Sequence, residues 1–295
     1  MKSICGYWAL DGAPSPADTL PAMRLARLCA NAPHLQEWRS EHGNLAFGSA
    51  WWSPQANLAP PACIAVHPAS GCVAIADARL DNPAELRAAL DLPAPDDAPD
   101  ATTDHAATLI LHAWLRWGED CVDRVDGDFA FAIHDPRRQV LYLARDRMGQ
   151  RPLYVHHVPG KLLVFGSTSH AMLAHPRVPG DIDEGRIADY LLEGAGGGLE
   201  GVDFTSTFHL AVQRHPPRHV LRVSPQDHAL RRYWQLEPGR TGPLPSSDDG
   251  WAEALTEAME RAVAQRLTGP HRSGSMLSGG LDSTSLAIIA ADQLR

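Results

Sequence analysis

The chain has 295 residues, 44% hydrophobic and 21% charged, an ordinary globular balance whose length predicts two domains. A formal net charge of −9 speaks against a nucleic-acid partner, because no basic stripe is present to neutralise phosphates. No apolar run approaches the length of about 18 residues that spans a bilayer, so no membrane partner is expected, and the opening MKSICGYWALDG lacks the apolar core of a secretion signal.

The first part of the chain reads as short strands between turns: Ile4–Leu10, Leu45–Trp51, Ala62–His67 and Gly71–Ala76. Pro21–Cys29 has the apolar spacing of a helix, and Asn82-Pro83 starts another through Leu90 with proline in its first turn. Asp91–Asp100 is a Pro/Asp-rich loop, and Asp104–Gly118 a helix with Leu109, Ile110, Ala113 and Trp114 inward. A dense β region follows: Asp128–Asp135, Val140–Arg145, Gln150–His157 and Leu162–Ser167. Ile187–Leu192 is a short helix closed by the glycines of Gly194–Gly198, and His219–Val223 with Leu230–Trp234 forms a hairpin. Residues 236–250 are rich in Pro, Gly, Ser and Asp and read as a linker between a domain of residues 1–235 and one beginning at 251. Trp251–Leu267 is an amphipathic helix. Five cysteines (Cys5, Cys29, Cys63, Cys72, Cys121) show no metal-binding spacing, which predicts free thiols and a cytoplasmic protein. His156 and His157 alternate across a strand and so do not share a metal.

Ser278-Gly279-Gly280-Leu281-Asp282-Ser283 carries the densest chemical signal. It follows apolar Ser275-Met276-Leu277 and opens the helix-like run Thr284–Leu294, giving the order strand, Gly-rich loop, helix. Glycines let backbone approach a phosphate, and a helix start offers free N–H groups and the positive end of its dipole. Ser278 and Ser283 add hydroxyls, and Asp282 suits a Mg²⁺ shared with phosphates. The plain alternative is a glycine turn ahead of a helix.

This hexapeptide resembles the pyrophosphate loop of the ATP pyrophosphatase superfamily, to which asparagine synthetases belong. Asp126–Asp135 and Ala144–Tyr154 look like the core of the glutaminase-like domain of asparagine synthetases, and Phe208–Trp234 resembles their connecting segment. The resemblance implies an α/β protein: an αββα sandwich of the N-terminal nucleophile type, then the start of a Rossmann-like ATP pyrophosphatase domain. Within the middle motifs, Gly127 and Gly149 read as turn glycines, Phe129, Phe131, Leu153 and Tyr154 as sheet core, and Arg145-Asp146 as a local ion pair.

Three departures accompany the resemblance. A glutaminase of this class needs cysteine as first residue, its α-amine serving as base, yet Cys5 lies behind Met1-Lys2-Ser3-Ile4. The family's glutamine-site motif has no counterpart near Asn31-Ala32-Pro33-His34, and its Asn-Gly oxyanion pair aligns with Asp77-Ala78. Asp104 is a loose match to the glutamine-binding Asp. The family's downstream catalytic residues are absent, so the chain is expected to be a piece of a longer protein or a truncated product. The implied activity is ATP- and Mg²⁺-dependent amide formation through an acyl-adenylate on a carboxylate-bearing substrate, with Cys5 a degenerate nucleophile position. Ala78–Asn82 and Trp117–Cys121 are similar to lasso-peptide macrolactam synthetases, which implies a precursor peptide as substrate and a partner protease. Two rivals stand beside this reading: a glutamine-hydrolysing asparagine synthetase, and an inert scaffold that docks a peptide or partner.

Overall fold

A computed structural model describes residues 2–25, 34–51, 62–93, 106–194, 205–237, 244–267 and 274–295. Cys29, residues 31–33, Asp104, residues 195–198 and linker residues 238–243 lie outside the described residues. The described residues up to Gln235 form one compact unit, and those from Leu236 onward form a second.

The first unit is built on two antiparallel sheets. One contains β1 (Lys2–Ala9), β2 (His34–Arg39), β3 (Leu45–Trp51), β8 (Tyr154–Val158), β9 (Leu162–Gly166) and β10 (Gln213–Arg214), in the order β10-β8-β9-β1-β3-β2. The other contains β4 (Ile64–Val66), β5 (Val73–Leu80), β6 (Gly127–Asp135), β7 (Val140–Arg145), β11 (His219–Val223) and β12 (His228–Arg232), in the order β12-β11-β7-β6-β5-β4. Side chains alternate across each strand, so one sequence feeds two cores. From β1, Ile4 and Trp8 join Val73, Ile75, Ala130, Leu143 and Phe165 in the layer between the sheets. Cys5, Tyr7 and Ala9 face outward and pack on α1 (Thr19–Leu25) and α4 (Ser169–Leu173) through Leu20, Met23, Ala171 and Met172. On the opposite outer face, Ala74, Ala76, Phe131 and Tyr142 pack under α3 (Ala106–Trp117), with Leu86 from α2 (Pro83–Ala89) in the same cluster. The layers run helix, sheet, sheet, helix. Each fully buried large apolar side chain contributes roughly 1.5–3 kcal/mol.

Glycine is required where strands crowd. Gly127 has φ +135°, and a Cβ there would lie 2.1 Å from the Arg79 carbonyl oxygen. It is the start of β6 rather than a turn residue, which corrects its reading from sequence. Outside the layers, α5 (Glu184–Gly194) leaves Tyr190, Leu191 and Leu192 more than half exposed.

The second unit consists of α6 (Asp248–Arg266) and α7 (Leu281–Gln293) with the loop before α7. Ser247 caps α6, its side chain accepting from the Gly250 N–H at 3.2 Å. Val263 is the buried residue of α6, and α7 buries none. Ser275-Met276-Leu277 is not a strand. A strand needs a neighbour to take its N–H and C=O groups, and Met276 is 94% exposed. No helix among the described residues is long and apolar enough to cross a membrane.

Candidate functional site

Cys5 sits inside the sheet, not at its end. β1 pairs with β3 from Lys2↔Trp51 onward, so Lys2, Ser3 and Ile4 ahead of the thiol are themselves ladder residues. Ile4 is tied further: its N–H donates to the Ser167 hydroxyl at 3.0 Å, and its carbonyl accepts from the Ser167 N–H at 2.8 Å. Cys5 Sγ donates to the Gly48 carbonyl at 3.4 Å. Burial pushes the thiol up to about 12, outweighing the opposing charge of Arg24. That disfavours the thiolate, which is the nucleophilic form.

Asp77, at the position aligned with the family's oxyanion donor, is buried in β5. Alternation places it on the face shared by Val73 and Ile75, toward the layer between the sheets. Cys5 points to the outer face of the other sheet. The two positions therefore look into different layers of the sandwich. Arg151 Nη1 stands 3.5 Å from Asp77 Oδ1, so the carboxylate already has a counter-cation. A carboxylate at this position opposes a developing oxyanion rather than stabilising it.

The motif Ala144–Tyr154 is a loop organised by Asp146. Its buried carboxylate accepts from the backbone N–H groups of Phe129 (3.2 Å), Met148 (3.0 Å), Gln150 (2.9 Å) and Arg151 (2.9 Å). Arg145 donates to the carbonyls of Arg151, Gly149 and His215 at 2.8, 2.8 and 2.7 Å. The expected Arg145–Asp146 ion pair is therefore replaced: each side chain satisfies backbone groups in a turn that leaves few other partners. Gly149 is a turn glycine, with φ +68°. Phe129, Phe131 and Leu153 are core, whereas Tyr154 is half-buried. In Ala78–Asn82, Arg79 pairs with Asp81 and, at 3.0 Å, with Asp128. Asn82 donates to the Arg124 carbonyl at 2.9 Å and accepts from the Asp126 N–H at 3.1 Å. These residues are spent on joining strand ends to loops.

One pair escaped the sequence reading. Ser15 Oγ lies 3.4 Å from His175 Nε2, a spacing open to a nucleophile and its base. His175 Nδ1 accepts from the Arg177 N–H at 3.2 Å, which puts the ring proton on Nε2. The imidazole thus donates toward Ser15 and is no base for it.

Ser278, Gly279, Gly280, Leu281, Asp282 and Ser283 are brought together as a loop at the start of α7. Ser278 Oγ and Ser283 Oγ are 3.1 Å apart, and Ser283 Oγ donates to the Gly280 carbonyl at 3.2 Å. Gly279 has φ +81° with open space around it, and Gly280 caps the helix without a side-chain hydrogen bond. An uncapped helix start with a positive-φ glycine and two hydroxyls fits the phosphates of ATP. Among the described residues no three ligating side chains cluster as a metal site. A Mg²⁺ on Asp282 would therefore take its other ligands from phosphates and water.

The layered sandwich defines the class: the fold of N-terminal nucleophile-type glutamine amidotransferases. A likeness to the solved Bacillus subtilis glutamine phosphoribosylpyrophosphate amidotransferase complexed with ADP and GMP has a TM-score of 0.51 at 12% identity, covering 98% of this chain and 64% of that one. Residues 72–234, more than half of the chain, match the glutamine amidotransferase domain family, and the chain belongs to it. Residues 254–295 match the asparagine synthase family. Among curated relatives, asparagine synthetase [glutamine-hydrolyzing] 3 of Bacillus subtilis is 33% identical over 183 residues, 62% of this chain and 28% of that protein. Amidase chyE of Penicillium rubens is 28% identical over 189 residues, 63% of this chain and 26% of that protein. The matched regions span little more than a quarter of these relatives' length.

Proposed function

We propose that the chain carries the glutaminase-like half and the pyrophosphate loop of an ATP-dependent amide-forming enzyme whose glutaminase is inert. The observation behind this reading is Cys5. It is peptide-linked, held in mid-ladder, buried, and turned away from an oxyanion position filled by Asp77 and Arg151. ATP would be the co-substrate that activates a carboxylate as an acyl-adenylate. The amides and hydroxyls of Ser278–Ser283 would hold the departing pyrophosphate, with Asp282 on Mg²⁺. With ammonia from glutamine removed, the attacking amine comes from another molecule or from the substrate itself. A peptide whose N-terminus attacks its own side-chain carboxylate meets that requirement, as in lasso-peptide macrolactam formation, with a precursor peptide as substrate and a protease as companion.

The second reading, a glutamine-hydrolysing asparagine synthetase, is favoured by the name of the Bacillus relative. Intact mass and ammonia release from glutamine separate the two. A mass beginning at Cys5 together with ammonia would restore the second reading. Met1 retained and no ammonia, with ATP–pyrophosphate exchange dependent on a peptide carboxylate in a chain extended through a complete synthetase domain, supports the first.

A further inference from the structure

The two sheets of the sandwich end together on one side, where β10 borders β8 in one and β12 borders β11 in the other. A cavity of about 470 Å³ opens there. Leu221 and Leu230 are among its apolar walls, and Arg214, Gln213 and four histidines, His156, His157, His215 and His228, are its polar side chains. No Asp or Glu among the described residues lines it. That volume falls within the range of about 300–1,000 Å³ for ligand clefts.

Arg214 lines this mouth, and Arg232 lies on the same face of the bordering strand β12 as His228 and Leu230. In a chain of net charge −9, residues 213–234 hold five arginines and a single carboxylate, Asp227. Asp227 is taken by Arg222. Arg214, Arg231 and Arg232 have no carboxylate partner among the described residues.

The two edges beside the cavity differ. That of β10 is covered, because the Arg214 N–H donates to the Thr205 carbonyl at 2.6 Å and Ser206 bridges Gln213. Among the described residues β12 pairs with β11 alone, from His228↔Val223 to Arg232↔His219, and every residue of it is exposed. Its outward N–H and C=O groups have no backbone partner among the described residues. A free edge templates another strand unless something opposes it. Here the opposition is positive charge, which repels a second copy of the same edge and attracts a negative strand. Alternation puts His228, Leu230 and Arg232 on one face, of which His228 and Leu230 line the cavity. A strand added at β12 would therefore lay alternate side chains over the cavity.

We propose that this mouth binds an extended peptide segment bearing carboxylates, its backbone pairing with β12 and an acidic side chain entering the cavity toward Arg214. The site is separate from the Cys5 position, which lies in the outer cluster with Leu20 and Met23 and is not part of the cavity lining. It stands apart from the amide-forming reading, because binding is measured without ATP.

The test is fluorescence anisotropy of a labelled hexapeptide of alternating glutamate and valine against the 295-residue chain at low salt. Saturable binding is expected, weakened about tenfold or more when glutamine replaces glutamate or when alternate peptide nitrogens are methylated. Arg214→Gln and Arg232→Gln should each weaken it severalfold with circular dichroism unchanged. Arg232 lies on the exposed strand, so that variant keeps the test available if Arg214→Gln does not fold. Equal binding of a lysine-for-glutamate peptide, or indifference to both substitutions, would overturn the proposal. So would displacement by glutarate or inorganic phosphate at the peptide's own concentration, which would make the cavity a small-anion site. Absence of binding would leave the arginines as edge protection alone and overturn it as well.

Discussion

The sandwich and the helix pair after it are both rich in apolar residues, yet among the described residues one has an extended core and the other buries only Val263. In β6 the seven residues Phe129–Asp135 are all buried. In α7, Leu281, Leu286 and Ile288 are 88%, 44% and 57% exposed. Apolar spacing suffices to set a helix locally, but burial needs partners, and the sheets recruit theirs from β1 to β11. The chemistry divides the same way. In the sandwich the signature residues Asp146, Arg145 and Asn82 are consumed by backbone groups, while Ser278 and Asp282 remain exposed.

The sharpest way to break this contrast is a pair of truncations. Phe131→Ala should cost about 3–5 kcal/mol in urea unfolding, by lost burial and the cavity it leaves. Leu286→Ala should cost less than about 0.5 kcal/mol, as for an exposed site. Equal costs would mean that α7 has a core after all. A second pair uses glycines. Gly127→Ala forces a Cβ to 2.1 Å from the Arg79 carbonyl oxygen at φ +135°, and about 3 kcal/mol of strain is expected. Gly279→Ala, at φ +81° in open space, should cost only about 1 kcal/mol, confined to the loop. Thermal unfolding reads both, and matching losses would erase the distinction.

How much of this was legible follows from where the signals lie. Leu45–Trp51 and Val140–Arg145 were legible to the residue, because each is an apolar run between turn formers. β2 was missed: His34–Arg39 is a half-exposed edge strand of polar and aromatic residues with no apolar alternation. Ser275-Met276-Leu277 reads as a strand by composition and is not one: no described strand pairs with it, and Met276 is 94% exposed. At the candidate site, Cys5, Asp77 and the Ser278 loop were all visible as residues. Arg151 as the partner of Asp77 was not, since 74 positions separate them (151 − 77) and only sheet register brings them together. That Cys5 faces outward was likewise invisible, because alternation gives two faces and only the fold says which is which.

Acid should separate the two units further. Burial holds His134, His157, His175 and His215 neutral, each down to about 4. Unfolded, these imidazoles titrate near about 6.5. The unfolded chain thus binds protons that the sandwich refuses. The stability involved is fully present above the unfolded value and is lost as pH falls through about 4. The urea midpoint of the sandwich should therefore drop steadily from pH 7 to pH 4. No described residue from Leu236 onward is a histidine, so amide exchange in α6 and α7 should show no matching step. A midpoint that stays flat over this range would show that these histidines are not buried as described.

The smallest effect expected is at Cys5, and its smallness is what carries the functional reading. Removing a thiol that makes one 3.4 Å contact to a carbonyl takes away little, so Cys5→Ala should cost about 1 kcal/mol. A catalytic cysteine would behave differently, as a thiolate exposed to its substrate. With its ionisation pushed up to about 12 by burial, Cys5 should resist iodoacetamide at pH 8 in the folded protein and react only after urea is added. Intact mass spectrometry follows both the adduct and the retention of Met1. In a chain extended through its synthetase domain, Cys5→Ala should leave amide formation from free amine and ATP unchanged. Rapid alkylation of folded Cys5, or loss of amide formation in the variant, would place the thiol back in the chemistry and remove the main support for an inert glutaminase.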